Sequence, residues 1–245
     1  MENPFQFGRE LVSDTLFSRT GEMEAIRDSM ENSGTLFITG PRRYGKTSLL
    51  KASADDSARK GNIVLRYDAE SFTEIDGIVK RIIEDSASML RGKVEITSQH
   101  IKRYFKSLQA EITFDLEQSR WKASLGRSST IVKNHIGLLA DALDGLEELA
   151  SEQPLQRRVV LIIDEFQELL LHAGLNAEKD LHSVIQKRKN IAFIFAGSKT
   201  RVLNEMTSDP GRPFYQFGKL LFVGEIPRHE FGQFIVDNFG QGGFF

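Results

Sequence analysis

Apolar residues fall along this chain in two alternating kinds of run. Short, nearly unbroken runs rich in β-branched and aromatic residues read as strands: Thr35-Leu36-Phe37-Ile38, Ile63-Val64-Leu65-Arg66-Tyr67, residues 159–163, residues 191–196 and Leu220-Leu221-Phe222-Val223. Between them, apolar positions recur at helical spacing: Met23, Ile26 and Met30; Leu49 and Leu50; Ile75, Ile78, Val79, Ile82 and Ile83. The same spacing returns at Leu138, Leu139, Ala142, Leu143, Leu146 and Leu149, at Leu181, Val184 and Ile185, and at Phe231, Phe234 and Ile235. Glu22 and Glu24 suit the first turn of the first helix. Ser71-Phe72-Thr73-Glu74 has the form of a capping box opening the third, and Pro227 opens the last. Strands apolar on both faces that alternate with helices predict an α/β fold, a parallel sheet covered on both sides. Residues 111–116 and 121–125 break the rhythm, alternating loosely, and predict a β-hairpin within an insertion spanning about residues 93–131.

Composition adds mainly exclusions. The chain has 245 residues, 40% hydrophobic and 27% charged, which suits an ordinary folded chain with a large core. It has no cysteine, so disulfides, thiolate metal sites and a thiol nucleophile are excluded. With 32 basic and 34 acidic residues the net charge is −2, which gives no global attraction to nucleic acid or an anionic membrane. The opening residues lack a signal-peptide pattern, and no apolar run approaches a membrane span. The expectation is a cytoplasmic protein with no membrane partner.

Chemistry enters at Gly40-Pro41-Arg42-Arg43-Tyr44-Gly45-Lys46-Thr47, which matches G-x-x-x-x-G-K-[ST] between a predicted strand and a predicted helix. In that setting the glycines let the backbone curl so that its N–H groups, with the helix N-terminus, face phosphate oxygens. Lys46 adds a mobile positive charge, and the Thr47 hydroxyl suits Mg²⁺. Residues 159–163 end in Asp164-Glu165, at the strand end where ligands bind in open α/β sheets. Asp164 is the candidate second Mg²⁺ ligand and Glu165 the candidate base for an attacking water. Lys46 and Asp164 stand far apart in sequence, so a further strand–helix unit and the hairpin lie between them. The run at residues 191–196 ends at Ala196-Gly197-Ser198, where Ser198 either bonds the γ-phosphate or its attacking water, or simply caps the next turn.

Together these residues resemble the archaeal-type ATPase family, in the AAA+/STAND branch of P-loop NTPases, and the chain is similar to a bacterial member. The likeness runs through Asn3-Pro4-Phe5-Gln6-Phe7-Gly8, Leu16-Phe17-Ser18-Arg19, the phosphate loop on through Ser48-Leu49, and Asp164-Glu165-Phe166-Gln167-Glu168-Leu169. It continues through Ser183-Val184-Ile185-Gln186, Ala196-Gly197-Ser198-Lys199 and Pro213-Phe214-Tyr215. The resemblance implies a three-layer, AAA+-like sheet of order 2-3-4-1-5, with residues 1–225 as the ATPase core and 226–245 as the start of a helical lid. It also implies that Phe17 and Arg19 lie on the adenine side of the nucleotide. His182 stands where relatives commonly carry Arg. The resemblance leads to the expectation of an N-terminal fragment whose Phe231, Phe234 and Ile235 lack partners and favour self-association.

The implied ligands are ATP and Mg²⁺, and the implied activity is Mg²⁺-dependent hydrolysis of ATP, driving a conformational switch for a missing C-terminal domain that engages DNA or protein. Two other classes stand beside it: a nucleotide-gated scaffold that does not hydrolyse, and a small-molecule kinase. Glu165 favours the hydrolase, because a scaffold can dispense with a base. Arg201 and Arg212 are arginine-finger candidates, with surface arginine the favoured reading. Lys187-Arg188-Lys189 suits a solvated helix end better than a DNA contact, and Trp121 reads as a packing anchor. The five histidines show no metal-ligand spacing.

Overall fold

A computed structural model describes residues 17–90, 98–115, 117–125, 135–151, 157–173 and 176–241. The motif at residues 3–8 and the last residues, 242–245, lie outside that set. The chain runs α1 (Thr20–Glu31), β1 (Thr35–Thr39), α2 (Lys46–Arg59), β2 (Ile63–Asp68), α3 (Ile75–Leu90), α4 (Ser98–Tyr104), β3 (Glu111–Asp115) and β4 (Arg120–Ser124). It continues through α5 (His135–Ser151), β5 (Val159–Asp164), α6 (Phe166–Ala173), α7 (Ala177–Gln186), β6 (Ile191–Gly197), α8 (Thr200–Ser208), β7 (Lys219–Phe222) and α9 (Arg228–Gln241).

The main sheet is parallel, in the order β2-β5-β6-β1-β7. Counting its five strands alone, that order reads 2-3-4-1-5; the hairpin β3–β4 forms a separate two-stranded sheet and accounts for the shifted numbers. Every residue of β5 and β6 is buried, and their alternation divides the core in two. Val160, Ile162 and Ile194 join Leu36, Ile38 and the α1–α2 residues Ile26, Met30, Leu49 and Leu50 on one face. Leu161, Ile163, Phe193, Phe195 and Phe37 join residues of α3, α5, α6, α7 and α8 on the other. This two-sided burial is why both strands read as continuous apolar runs rather than as alternating ones.

On the second face an aromatic cluster lies beneath the ends of β5 and β6. Phe166 stacks on Phe195 at 4.1 Å, and Phe37 lies 5.4 Å from Phe195 and 5.6 Å from Phe214 between ring centroids. Because Phe166 opens α6 directly after Glu165, this packing fixes the backbone that carries the candidate base.

The hairpin forms in the register Phe114↔Trp121, with those rings 5.2 Å apart, and docks on α3 through the Ala123 N–H bonded to Glu84 Oε1 at 3.0 Å. Trp121 is buried in the core, a packing anchor as its sequence setting implies.

Several local readings are corrected. Ser71 does not cap α3: its hydroxyl turns back to the Asp68 carbonyl at 2.7 Å, and residues 69–71 form a 3₁₀ turn before the helix starts at Ile75. The helices α4, α6 and α8 carry too few periodic positions to have been read from the sequence. Phe234 is not left bare. It stacks on Phe17 at 4.3 Å, and the Ser18 hydroxyl bonds Glu230 on the same helix, while Phe231 and Val236 remain exposed. No helix among the described residues is long and apolar enough to cross a membrane.

Candidate functional site

Three adjacent strands, β5, β6 and β1, deliver their C-terminal ends to one crevice. Strand β1 feeds residues 40–45 into α2, β5 ends at Asp164, and β6, lying between them, ends at Gly197-Ser198. The intervening strand is what sets Ser198 between the two motifs.

The loop glycines are demanded by different constraints. A Cβ on Gly40 would stand 2.3 Å from the Val223 carbonyl oxygen, because residue 223 pairs back onto Thr39 after β7. Gly45 has φ +87°, a left-handed conformation that turns the chain into α2. Arg43 also lies in the left-handed region, at φ +68°, where a side chain costs free energy. Pro41, Arg42 and Arg43 are exposed on the outside of the loop, and Ser48 is half-buried in the first turn of α2.

Lys46 is buried, and its ammonium donates to the carbonyls of Gly40 at 2.8 Å and Pro41 at 2.9 Å. Burial pushes its pKa below the usual lysine value, with a smaller push from Arg42, while the charges of Glu165 and Asp164 work against both.

The Thr47 hydroxyl donates to Asp164 Oδ2 at 2.9 Å, and Asp164 Oδ1 accepts the Glu165 N–H at 3.0 Å. Burial raises the Asp164 pKa, the charges of Glu165 and of Asp68 across the β2–β5 pairing add to the rise, and the two hydrogen bonds oppose it. A hydroxyl and a carboxylate converging in this way are both hard oxygen donors, which suits Mg²⁺ completed by water and phosphate oxygens. Among the described residues no group of three or more His, Asp or Glu side chains forms a metal site.

Glu165 has φ +48°, outside the ordinary range for a residue with a side chain. One of its oxygens, Oε2, accepts three bonds: from Gln167 Nε2 at 2.5 Å, the Ser198 N–H at 3.1 Å and the Ser198 hydroxyl at 2.9 Å. Burial alone would raise the Glu165 pKa, but these donors and the Lys46 charge outweigh it and hold the carboxyl below its usual value. Asp164 and Glu165, neighbours in sequence, are thus pushed in opposite directions.

Ser198 also accepts a bond from Arg42 Nε at 3.3 Å, and Arg42 Nη2 reaches Glu70 Oε1 at 3.3 Å. The structure therefore brings Lys46, Thr47, Asp164, Glu165 and Ser198 close to one another. Phe17 and Arg19 lie to one side. Arg19 spends its guanidinium on the carbonyls of Tyr44 and Gly224, at 3.2 and 2.7 Å, and on Glu22 at 2.7 Å. The Tyr44 hydroxyl meets Glu225 at 3.3 Å, so two contacts tie the loop to the segment after β7.

The arginine-finger candidates stand away from these groups in their bonding. Arg212 is bonded to Glu178, and Arg201, 90% exposed, reaches Glu205. Arg188, the middle of the basic run, is buried against the Ala140 carbonyl and Asp144, while Lys187 and Lys189 are exposed. His182 packs between Phe214 and Phe217, where burial lowers its pKa. His135 meets Asp76 at 2.8 Å, a pairing across two helices that no local spacing announces.

Two participants were missed by the sequence reading. Gln167 stands inside a quoted motif without a role, and Gly197 was read only as part of a strand end. The signal available was a glutamine in the first turn of α6, two residues beyond the candidate base.

Residues 28–204 match the family described as AAA domain. Among curated proteins nothing matches the chain. Similar solved structures include the Walker-type ATPase PABY2304 of Pyrococcus abyssi, at 19% identity and TM-score 0.58, covering 98% of this chain and 63% of that one. They also include the ORC1 protein of Aeropyrum pernix in complex with DNA, at 12% identity and TM-score 0.54, covering 93% of this chain and 50% of that one. The ORC2 protein of the same organism, in its ADP form, aligns at 16% identity and TM-score 0.54, over 96% of this chain and 55% of that one. At such identities the likeness speaks to the fold, and this chain spans less than two thirds of each of these proteins.

Proposed function

Because this chain belongs to the AAA domain family of P-loop ATPases, we propose that it binds ATP with Mg²⁺ and hydrolyses it to ADP and phosphate. The observation that carries the reading is the convergence of Lys46, Thr47, Asp164, Glu165 and Ser198 at the ends of three neighbouring strands. In this reading Lys46 leaves the carbonyls of Gly40 and Pro41 for the β- and γ-phosphates, while the backbone from Gly40 to Gly45 and the start of α2 receive the remaining phosphate charge. Thr47 and Asp164 hold Mg²⁺, which when bound neutralises charge on the phosphate oxygens. Glu165 takes a proton from the attacking water, and Ser198 orients either that water or the γ-phosphate. Arg42, Arg43, Tyr44 and Ser48 line the loop, and Phe17 and Arg19 lie on the side assigned to adenine.

Residues 1–225 are then assigned to the ATPase core and 226–245 to a helical lid. Hydrolysis would reset a conformational switch read by DNA or by another protein; the DNA in the A. pernix ORC1 complex makes nucleic acid the first partner to test. The defining experiment measures Mg²⁺-dependent ATP turnover and binding of a fluorescent ATP analogue for the wild type and for Glu165→Gln. Binding with turnover that the variant loses supports the hydrolase. Binding without wild-type turnover overturns it in favour of a nucleotide-gated scaffold.

A further inference from the structure

The Gln167 side chain has an environment that only one orientation of its amide satisfies. It is 3% exposed, and its Nε2 faces Glu165 Oε2 at 2.5 Å. An ionised carboxylate only accepts hydrogen bonds, so the NH₂ end must face it and the carbonyl end must point away. That leaves Gln167 Oε1 buried with no hydrogen-bond partner within the protein. The same oxygen lies where a side chain on β6 would begin: a Cβ on Gly197 would stand 2.2 Å from it. Gly197 thus supplies the space into which the amide is wedged, and an unpartnered carbonyl is kept so that the amide donor can face Glu165. A residue that served packing alone would have no use for that donor.

The three bonds to Glu165 also fall on one oxygen. Gln167 and both donors of Ser198 meet Oε2, and Oε1 takes none of them. Of the two donor residues, Ser198 is shared with the exposed Arg42 of the phosphate loop, whereas Gln167 is enclosed beside the Phe166–Phe195 stack. One anchor is coupled to the loop and the other belongs to the core.

We propose that Gln167 is a positioning residue for the candidate base: its amide, seated in the space left by Gly197, fixes the Glu165 carboxylate by Oε2 and reserves Oε1 for the attacking water. This role rests on the hydrolase reading above. Gln167 touches neither nucleotide nor water in it; it acts through Glu165.

The test is a cycle of variants measured for single-turnover hydrolysis and for nucleotide affinity. Gln167→Met keeps the volume and removes the donor, and should slow hydrolysis about tenfold, a part of the effect of losing a general base, while affinity changes less than about twofold. Gly197→Ala, whose Cβ would displace the amide and also press on Leu203 Cδ1 at 2.8 Å, should slow hydrolysis at least as much. In the Glu165→Gln background Gln167→Met should cause no further slowing, because its route to the chemistry is gone. Wild-type turnover in Gln167→Met overturns the positioning role alone. So does an equal loss of rate in the presence and absence of Glu165, or a loss of affinity matching the loss of rate, either of which marks a structural residue. A wild type that binds ATP without turning it over, or a Glu165→Gln variant as fast as wild type, overturns the hydrolase reading itself and the positioning role with it.

Discussion

Thr47 and Asp164, 117 positions apart in the chain, share a hydrogen bond of 2.9 Å. That contact joins the phosphate loop to the carboxylate strand although β6 lies between the strands that carry them. It also orders the expected consequences of changing each residue nearby.

Asp164→Asn should weaken nucleotide binding chiefly when Mg²⁺ is present, because it removes the anionic member of the pair. Glu165→Gln should leave binding intact and slow hydrolysis about a hundredfold or more, the scale of losing a general base. Affinity titrations with and without Mg²⁺, set beside turnover, separate the two; identical behaviour would refute the division of roles.

Lys46→Ala should abolish most ATP binding. The ammonium is held by the loop's own carbonyls, where burial lowers its pKa and nearby carboxylates oppose that push, and it is the loop's donor for phosphate in this reading. A fluorescent ATP analogue bound equally by variant and wild type would contradict the assignment.

Gly40→Ala should destabilise the fold even without nucleotide. Its Cβ would stand 2.3 Å from the Val223 carbonyl oxygen, so either the loop or the segment after β7 must shift. A loss of about 1–3 kcal/mol is expected from such overpacking, read from urea denaturation. An unchanged midpoint would show that the two segments are not held together as described.

Alkaline pH should weaken the fold through Tyr67. Burial, then the charge of Asp85, which also accepts the Tyr67 hydroxyl bond at 3.2 Å, hold the phenol well above its ordinary pKa of 10.0. Above that value the unfolded chain releases the proton while the folded chain keeps it. The group's stabilisation is therefore complete below the unfolded pKa and declines as pH rises beyond it. Urea midpoints should fall more steeply above about pH 10 for wild type than for Tyr67→Phe, which lacks the titrating group. Parallel slopes would exclude Tyr67 as the source.

The sequence was legible wherever one physical constraint dominated. The phosphate loop announces itself because two glycines, a lysine and a hydroxyl are each needed at fixed spacing, and β5 and β6 do so because burial on both faces leaves room only for apolar residues. Ser71 misled because its hydroxyl had two acceptable uses, as a cap or as a donor to the Asp68 carbonyl, and local spacing does not choose between them. Gln167 and Arg188 stayed hidden for different reasons: Arg188 meets Ala140 and Asp144 of α5, far off in sequence, and a glutamine in a short helix looks alike whether its amide faces water or turns back to a carboxylate two residues away. The Phe17–Phe234 stack joins the two ends of the described chain, a distance over which no pattern in the sequence operates.

The ties at the two sides of the phosphate loop differ in kind, and that difference sets where the protein can breathe. On the β5–β6 side, the backbone of Glu165 and Phe166 is locked to interlocked rings in the core, so exposing its amides to exchange with solvent demands opening that core. On the other side, the loop is tied through Arg19 and Tyr44 to Gly224 and Glu225 by a few polar contacts near the surface, which local fluctuations can break. Deuterium should therefore enter the peptide bonds around residues 42–45 and 224–225 long before those at 165–167. The crevice works like a vice with one fixed jaw: displacement on ligand entry falls on the segment joining β7 to α9, leaving the carboxylates where the core has set them.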